Sequence, residues 1–161
     1  MKKGIFAALA LVFFNLASYA QCDVNALIPT LSGKVYIIDM KEAILYYINF
    51  HRRSIGLRNL RLNGVESKLA LQHSIDMASG RTPFGHDGLN ERAKAISKEV
   101  GKITMAAENV ASGDMSAKEV VDGWLKSPGH KRNIETDFTL TGIGVAKNDK
   151  GVVFYTQIFS K

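Results

Sequence analysis

Four stretches of helical periodicity precede two stretches of strand periodicity, and this order constrains the 161-residue chain more than any other feature. Residues 141–147 and 152–159 read as strands, and Asn148-Asp149-Lys150-Gly151 between them predicts a hairpin. A two-stranded hairpin is marginal in water by itself, so helices must pack on it. Residues 34–38, ahead of the first helix, are expected to add a strand or cover.

Each helix carries its own start and stop signals. Asp39 with Glu42 three residues on resembles a capping box. Ile44, Tyr47, Ile48 and His51 then recur at helical spacing to about Arg53, and Gly56 closes the helix. A second helix over 65–78 puts Leu69, His73, Asp76 and Met77 on one side and ends at Gly80. Residues 82–88 can only be a loop, and 90–100 read as a short third helix. Ser116-Ala117-Lys118-Glu119 is a strict capping box, followed by the amphipathic set Val120, Val121, Trp124 and Leu125. That helix is expected to stop near Ser127, because Pro128 and Gly129 cannot continue it.

The N-terminus reads as an export signal. Lys2 and Lys3 precede an apolar run over 5–16, broken only by Asn15, and Ser18-Tyr19-Ala20 supplies the small residues a signal peptidase admits. Cleavage is expected between Ala20 and Gln21, giving a signal peptide over 1–20, an N-terminal segment over 21–37 and one domain over 38–161. The run is too short to cross a layer of about 30 Å as a helix, although an uncleaved anchor is the alternative. The mature chain, about 140 residues, suits a single core. It is expected to be a monomer, secreted or periplasmic, with no stable membrane insertion after cleavage. Cys22 is the only cysteine, so no intrachain disulfide can form. Gln21 before it is too large for lipoprotein processing, so a free thiol is expected.

With 21 basic and 15 acidic residues the chain carries +6, falling to +4 without Lys2 and Lys3. Arg52, Arg53, Arg58 and Arg61 form the densest basic stretch and read as a solvated face, with an anionic envelope polymer as the other use. No interleaving of aromatic and basic residues points to nucleic acid.

Four segments hold most of the functional information: Gly85-His86-Asp87, Ala107-Glu108-Asn109-Val110-Ala111, the stretch from Val121-Asp122-Gly123-Trp124 to Ser127-Pro128-Gly129-His130, and Tyr155-Thr156-Gln157. With Asn49-Phe50-His51-Arg52-Arg53 and Leu60-Arg61-Leu62-Asn63, their order and spacing resemble the CAP superfamily of cysteine-rich secretory, venom-allergen and plant pathogenesis-related proteins. Ser-Pro-Gly-His followed by Lys131-Arg132-Asn133-Ile134 is similar to its bacterial branch. The resemblance implies an α+β fold, a three-layer α-β-α sandwich with a small antiparallel sheet. It also implies a cleft lined by two His and two Glu. His86 and Glu108 match the first of each, whereas Ser127 and Phe154 stand where the others belong. His130 is the substitute inferred here.

His86, Glu108 and His130 are borderline ligands that suit zinc or another divalent cation, with a fourth position open. The other reading is a hydrogen-bonded network in which Glu108 pins loops together without any ligand. The resemblance places Asn109 beside Glu108 and suggests that Tyr155 or Gln157 borders the cleft. His73 and His51 read as structural, Trp124 as core, and Ser127 as a turn residue rather than a nucleophile. The favoured function is an exported, non-enzymatic binding module whose polar cleft takes a small ligand, a cell-envelope component or a divalent metal. The alternatives are a metal-dependent hydrolase or peptidase, with Glu108 as base if any residue is catalytic, and a structural envelope protein.

Overall fold

The structure is a computed structural model and describes residues 39–161. The expected signal peptide, Cys22 and the strand or cover over 34–38 lie outside the described residues.

Helix α1, Met40–Ser54, starts where expected, with the Asp39 carboxylate accepting from the Lys41 backbone N–H at 3.2 Å. Its buried side chains Ile44, Ile48 and Arg52 follow each other at four-residue steps. Strand β1 is only Arg61–Leu62, and Asn63 then caps α2, Gly64–Ala78. Helix α3, Leu89–Val100, begins after Gly88, whose φ of 80° favours glycine.

Strand β2, Ala106–Ser112, was not expected. Its Glu108-Asn109 pair has low strand propensity, and pairing with a neighbour overrides that preference. Helix α4, Ala117–Lys126, carries the predicted capping box. Pro128 and Gly129 end α4 but do not begin a loop: they open a further helix, α5, Pro128–Glu135. Proline at the first helical position loses nothing, because that N–H has no intrahelical partner anyway.

Strands β3, Leu140–Lys147, and β4, Val153–Ser160, form the predicted hairpin. In its turn the Asn148 side-chain oxygen accepts from the Lys150 and Val152 N–H groups. The strand order is β1-β3-β4-β2, with β4 antiparallel to both neighbours and β1 parallel to β3. The sheet is therefore mixed, where the resemblance implied an antiparallel one; two residues of parallel pairing make the difference.

Helices cover both faces of the sheet, giving the expected three-layer sandwich. On one face α1, α4 and α5 bury Ile48, Val120, Trp124 and Ile134 against Ile143, Tyr155 and Phe159. On the other, Ala70 of α2 and Ile96 of α3 meet Ile158. Helix α2 approaches so closely that a Cβ on Gly142 or Gly144 would come within 2.1 Å of the backbone of Glu66 or Leu71. Arg52 is fully buried rather than part of a solvated face. It donates to the carbonyls of Arg58, Ile134, Thr136 and Phe138, tying α1 to the end of α5. Arg53, Arg58 and Arg61 remain exposed.

Candidate ligand-binding site

The centre of the site is Glu108, the third residue of β2, whose side chain is fully buried. A carboxylate can be held there only if paired and hydrogen-bonded. Its cation is Arg92, in the first turn of α3. The guanidinium donates from Nε to Oε2 and from Nη2 to Oε1, each at 2.8 Å. This two-pronged geometry is the strongest available to a carboxylate. The third guanidinium nitrogen donates to the Asp87 carbonyl at 2.9 Å and so ties the pair to the loop before α3.

Two histidines share the Oε1 side. His86 Nδ1 lies 3.0 Å from Oε1, and about half of its side chain is exposed. His73, on α2, is buried; its Nε2 lies 3.7 Å from Oε1 and 2.9 Å from the Gly85 carbonyl. The Gly85 carbonyl thus gives the His73 ring a hydrogen-bond partner. A single carboxylate draws together α2, the loop of His86, α3 and β2.

His130, in the first turn of α5, faces the same region. Burial, and secondly the charge of His86, holds its imidazole below the ordinary histidine range. Its backbone is fixed by Asn109, whose Nδ2 donates to the His130 carbonyl at 3.2 Å. Asn133 in turn donates to Asn109 Oδ1 and to the Glu108 carbonyl. Beside His130 a groove of about 380 Å³ runs between β2 and α4. Phe84, Val110, Met115, Val120 and Trp124 line it, with Ser112, Glu119, Ser127 and His130 as polar wall. Phe84 also packs against Phe154, ring centroids 6.4 Å apart, so an aromatic pair stands where the resemblance puts a second cleft histidine.

His86 stands on Glu108, and His130 lies near enough to His86 to feel its charge; of the three, His130 lines the groove. Asn109, Tyr155 and Gln157 are buried and bonded to the protein itself. The Tyr155 hydroxyl donates to the Met115 carbonyl, and the Gln157 amide to Thr141. Trp124 is core on one side and groove wall on the other, its indole N–H donating to the Val110 carbonyl at 3.1 Å. His51 pairs with Glu135 at 2.8 Å, and Ser127 is the N-cap of α5 without a side-chain capping bond.

The donor set does not fit a divalent metal. Both oxygens of Glu108 already accept from a guanidinium, whose charge repels a second cation, and His73 is committed to a carbonyl. Among the described residues no group of three His, Cys, Asp or Glu side chains is placed to hold a metal ion. Arg92 and Asn133 were not assigned to the site from the sequence, and His73 was read as structural. Arg92 lies six residues beyond His86 with no spacing to mark it, and only the fold brings it to Glu108.

A helix–sheet–helix sandwich with a loop histidine on a strand-borne glutamate defines an SCP-type domain. The chain belongs to the CAP family, described as the cysteine-rich secretory protein family, whose profile matches residues 45–159. It is 28% identical to the uncharacterized protein YkwD of Bacillus subtilis over 91% of this chain and 57% of that protein. It is 30% identical to the uncharacterized membrane protein YlbC of the same organism over 75% of this chain and 34% of that protein. The chain therefore spans about half of one curated relative and a third of the other. Among solved structures it is similar to an outer surface protein of Borrelia burgdorferi, at TM-score 0.63 and 25% identity, covering 80% of this chain and 98% of that one. A Bacillus anthracis extracellular protein containing an SCP domain matches at TM-score 0.64 and 26% identity, over 81% and 45% of the two chains. Among the described residues no helix is long and apolar enough to cross a membrane.

Proposed function

We propose that this chain is an exported binding module that holds a small amphipathic ligand in the groove between β2 and α4, its polar end toward His86 and His130. The observation that carries this reading is the groove itself. At about 380 Å³ it falls within the range of small-molecule sites, and its apolar walls converge on few polar groups. The Glu108–Arg92 pair is internally satisfied, so it serves as the rigid base on which His86 stands. A hydrolytic reading finds less support, because the Glu108 side chain is fully buried, out of contact with solvent, and bonded to Arg92 through both oxygens. Export rests on the basic and apolar N-terminus and on small residues at Ser18 and Ala20.

Trp124, the only tryptophan, lines the groove and reports its occupancy. Energy transfer from Trp124 to the uncharged dye N-phenyl-1-naphthylamine is expected to saturate at one site. Gly123 also lines the groove, and a Cβ there meets nothing within 4 Å, so Gly123→Phe starts from an unobstructed position on the groove wall. That substitution should weaken binding at least about tenfold; unchanged affinity in a folded variant refutes the reading. Export is checked by N-terminal sequencing of the mature protein, expected to start at Gln21.

A further inference from the structure

We propose that the Arg92–Glu108 pair fixes the neutral form of the His86 imidazole as its Nδ1–H tautomer, in which Nε2 is an acceptor that recognises a hydroxyl group on the ligand. This rests on the groove-binding reading and names the chemistry at its polar end.

The argument is an accounting of donors. Glu108 accepts from Arg92 at both oxygens, which an ionised carboxylate does and a protonated one does poorly. An ionised carboxylate only accepts, so His86 Nδ1 at 3.0 Å must donate to it. In an uncharged imidazole the other nitrogen then carries the lone pair. Among the described residues no protein group hydrogen-bonds to His86 Nε2, and the side chain is about half exposed. His73 is an internal contrast: its Nε2 lies 2.9 Å from the Gly85 carbonyl and must donate, which is the opposite tautomer.

Charge decides what Nε2 can meet. Glu108 already has its cation in Arg92, and His130 beside it is held toward its uncharged form by burial. With His86 in this form nothing here adds a positive charge for an anion, and both its lone pair and the Glu119 carboxylate on the groove wall repel a carboxylate. A hydroxyl donates to Nε2 directly. Arg92 contacts only protein in this scheme, so it is a positioning residue.

Long-range 1H–15N NMR near pH 8 should show His86 as the Nδ1–H form and His73 as the Nε2–H form. Arg92→Lys should keep the His86 signature. Arg92→Met, checked for folding by circular dichroism, should lose it. An Nε2–H form at His86 in the wild type overturns the proposal, and no variant is needed to see it. Octyl β-D-glucoside and octanoate, both below micellar concentration, share a tail and differ in the head. Trp124 fluorescence should report at least about tenfold tighter binding of the glucoside, and His86→Phe should shrink the difference to about twofold. A preference for octanoate overturns the hydroxyl assignment. So does one stoichiometric zinc ion bound by the wild type and lost in Glu108→Gln. If neither octyl probe perturbs Trp124, the groove reading itself falls, whatever tautomer His86 shows.

Discussion

Glu66 gives the sharpest test of how closely α2 is pressed onto the sheet. It is fully buried, one oxygen accepts from the Ser160 hydroxyl, and the other has no hydrogen-bond partner. Burial pushes its carboxyl up to about 7 from an ordinary 4.5, and the Ser160 bond offsets this only in part. The folded state thus holds the proton more tightly than the unfolded state, so the stabilisation is complete below pH 4.5 and is lost as pH rises through about 7. A shift of two to three units corresponds to about 3 kcal/mol in all, of which roughly 2 kcal/mol falls between about pH 5.5 and 8.5. Glu66→Gln keeps the shape and removes the titration. Urea unfolding of both proteins across that range should show the wild type losing roughly 2 kcal/mol relative to the variant. Taking the difference cancels other titrating groups, His130 among them. If the two stability curves run parallel, Glu66 is hydrated in solution and the close seating of α2 is wrong.

Two other perturbations separate backbone contact from open space and buried from exposed charge. Gly144→Ala should cost at least about 3 kcal/mol or prevent folding, because the new Cβ meets backbone at 2.1 Å, whereas Gly123→Ala, with nothing within 4 Å, should be neutral or slightly stabilising in urea unfolding. Arg52→Met leaves several carbonyl groups without their donor and should cost about 3–5 kcal/mol, with Arg52→Lys recovering less than half; a loss below about 1 kcal/mol shows that water replaces the guanidinium. By NMR titration His130 should ionise below the ordinary histidine range, and His86→Ala should relieve only the smaller part of the shift, since burial is its main cause.

What the sequence made legible was whatever a local rule encodes. The helix starts at Asp39 and Ser116 follow from capping, and the hairpin from Asn148 to Gly151 follows from turn chemistry. Strand β2 was not legible, because Glu108 and Asn109 are poor strand formers at its middle and only the register Glu108↔Ile158 holds them extended. The stop of α4 near Ser127 was legible but α5 was not, because the same Pro-Gly dipeptide that stops one helix is suited to open the next. In the site, His86 and Glu108 were marked by motif. Arg92 was not: its role arises from α3 folding back toward β2, and a lone arginine in a helix's first turn carries no signature. Arg52 failed in the same way, since three of its four neighbouring carbonyls are more than eighty residues distant in sequence.

The placement of groove and histidines also follows from β2 being the sheet's edge. An edge strand exposes main-chain groups that must be covered or solvated. Here α5 covers the Glu108 carbonyl through Asn133, and α4 covers the Val110 carbonyl through Trp124. Farther along, Ala111 and Ser112 line the groove instead, facing Met115 and Gly123. The short Pro-Gly junction that turns α4 into α5 sets His130 near the point where this cover ends. The buried ion pair at Glu108 therefore anchors one end of an edge whose other end stays open. On the proposed reading, a ligand in that opening would meet a wall of side chains held by main-chain bonds, with the half-exposed His86 ring standing on Glu108 beyond His130.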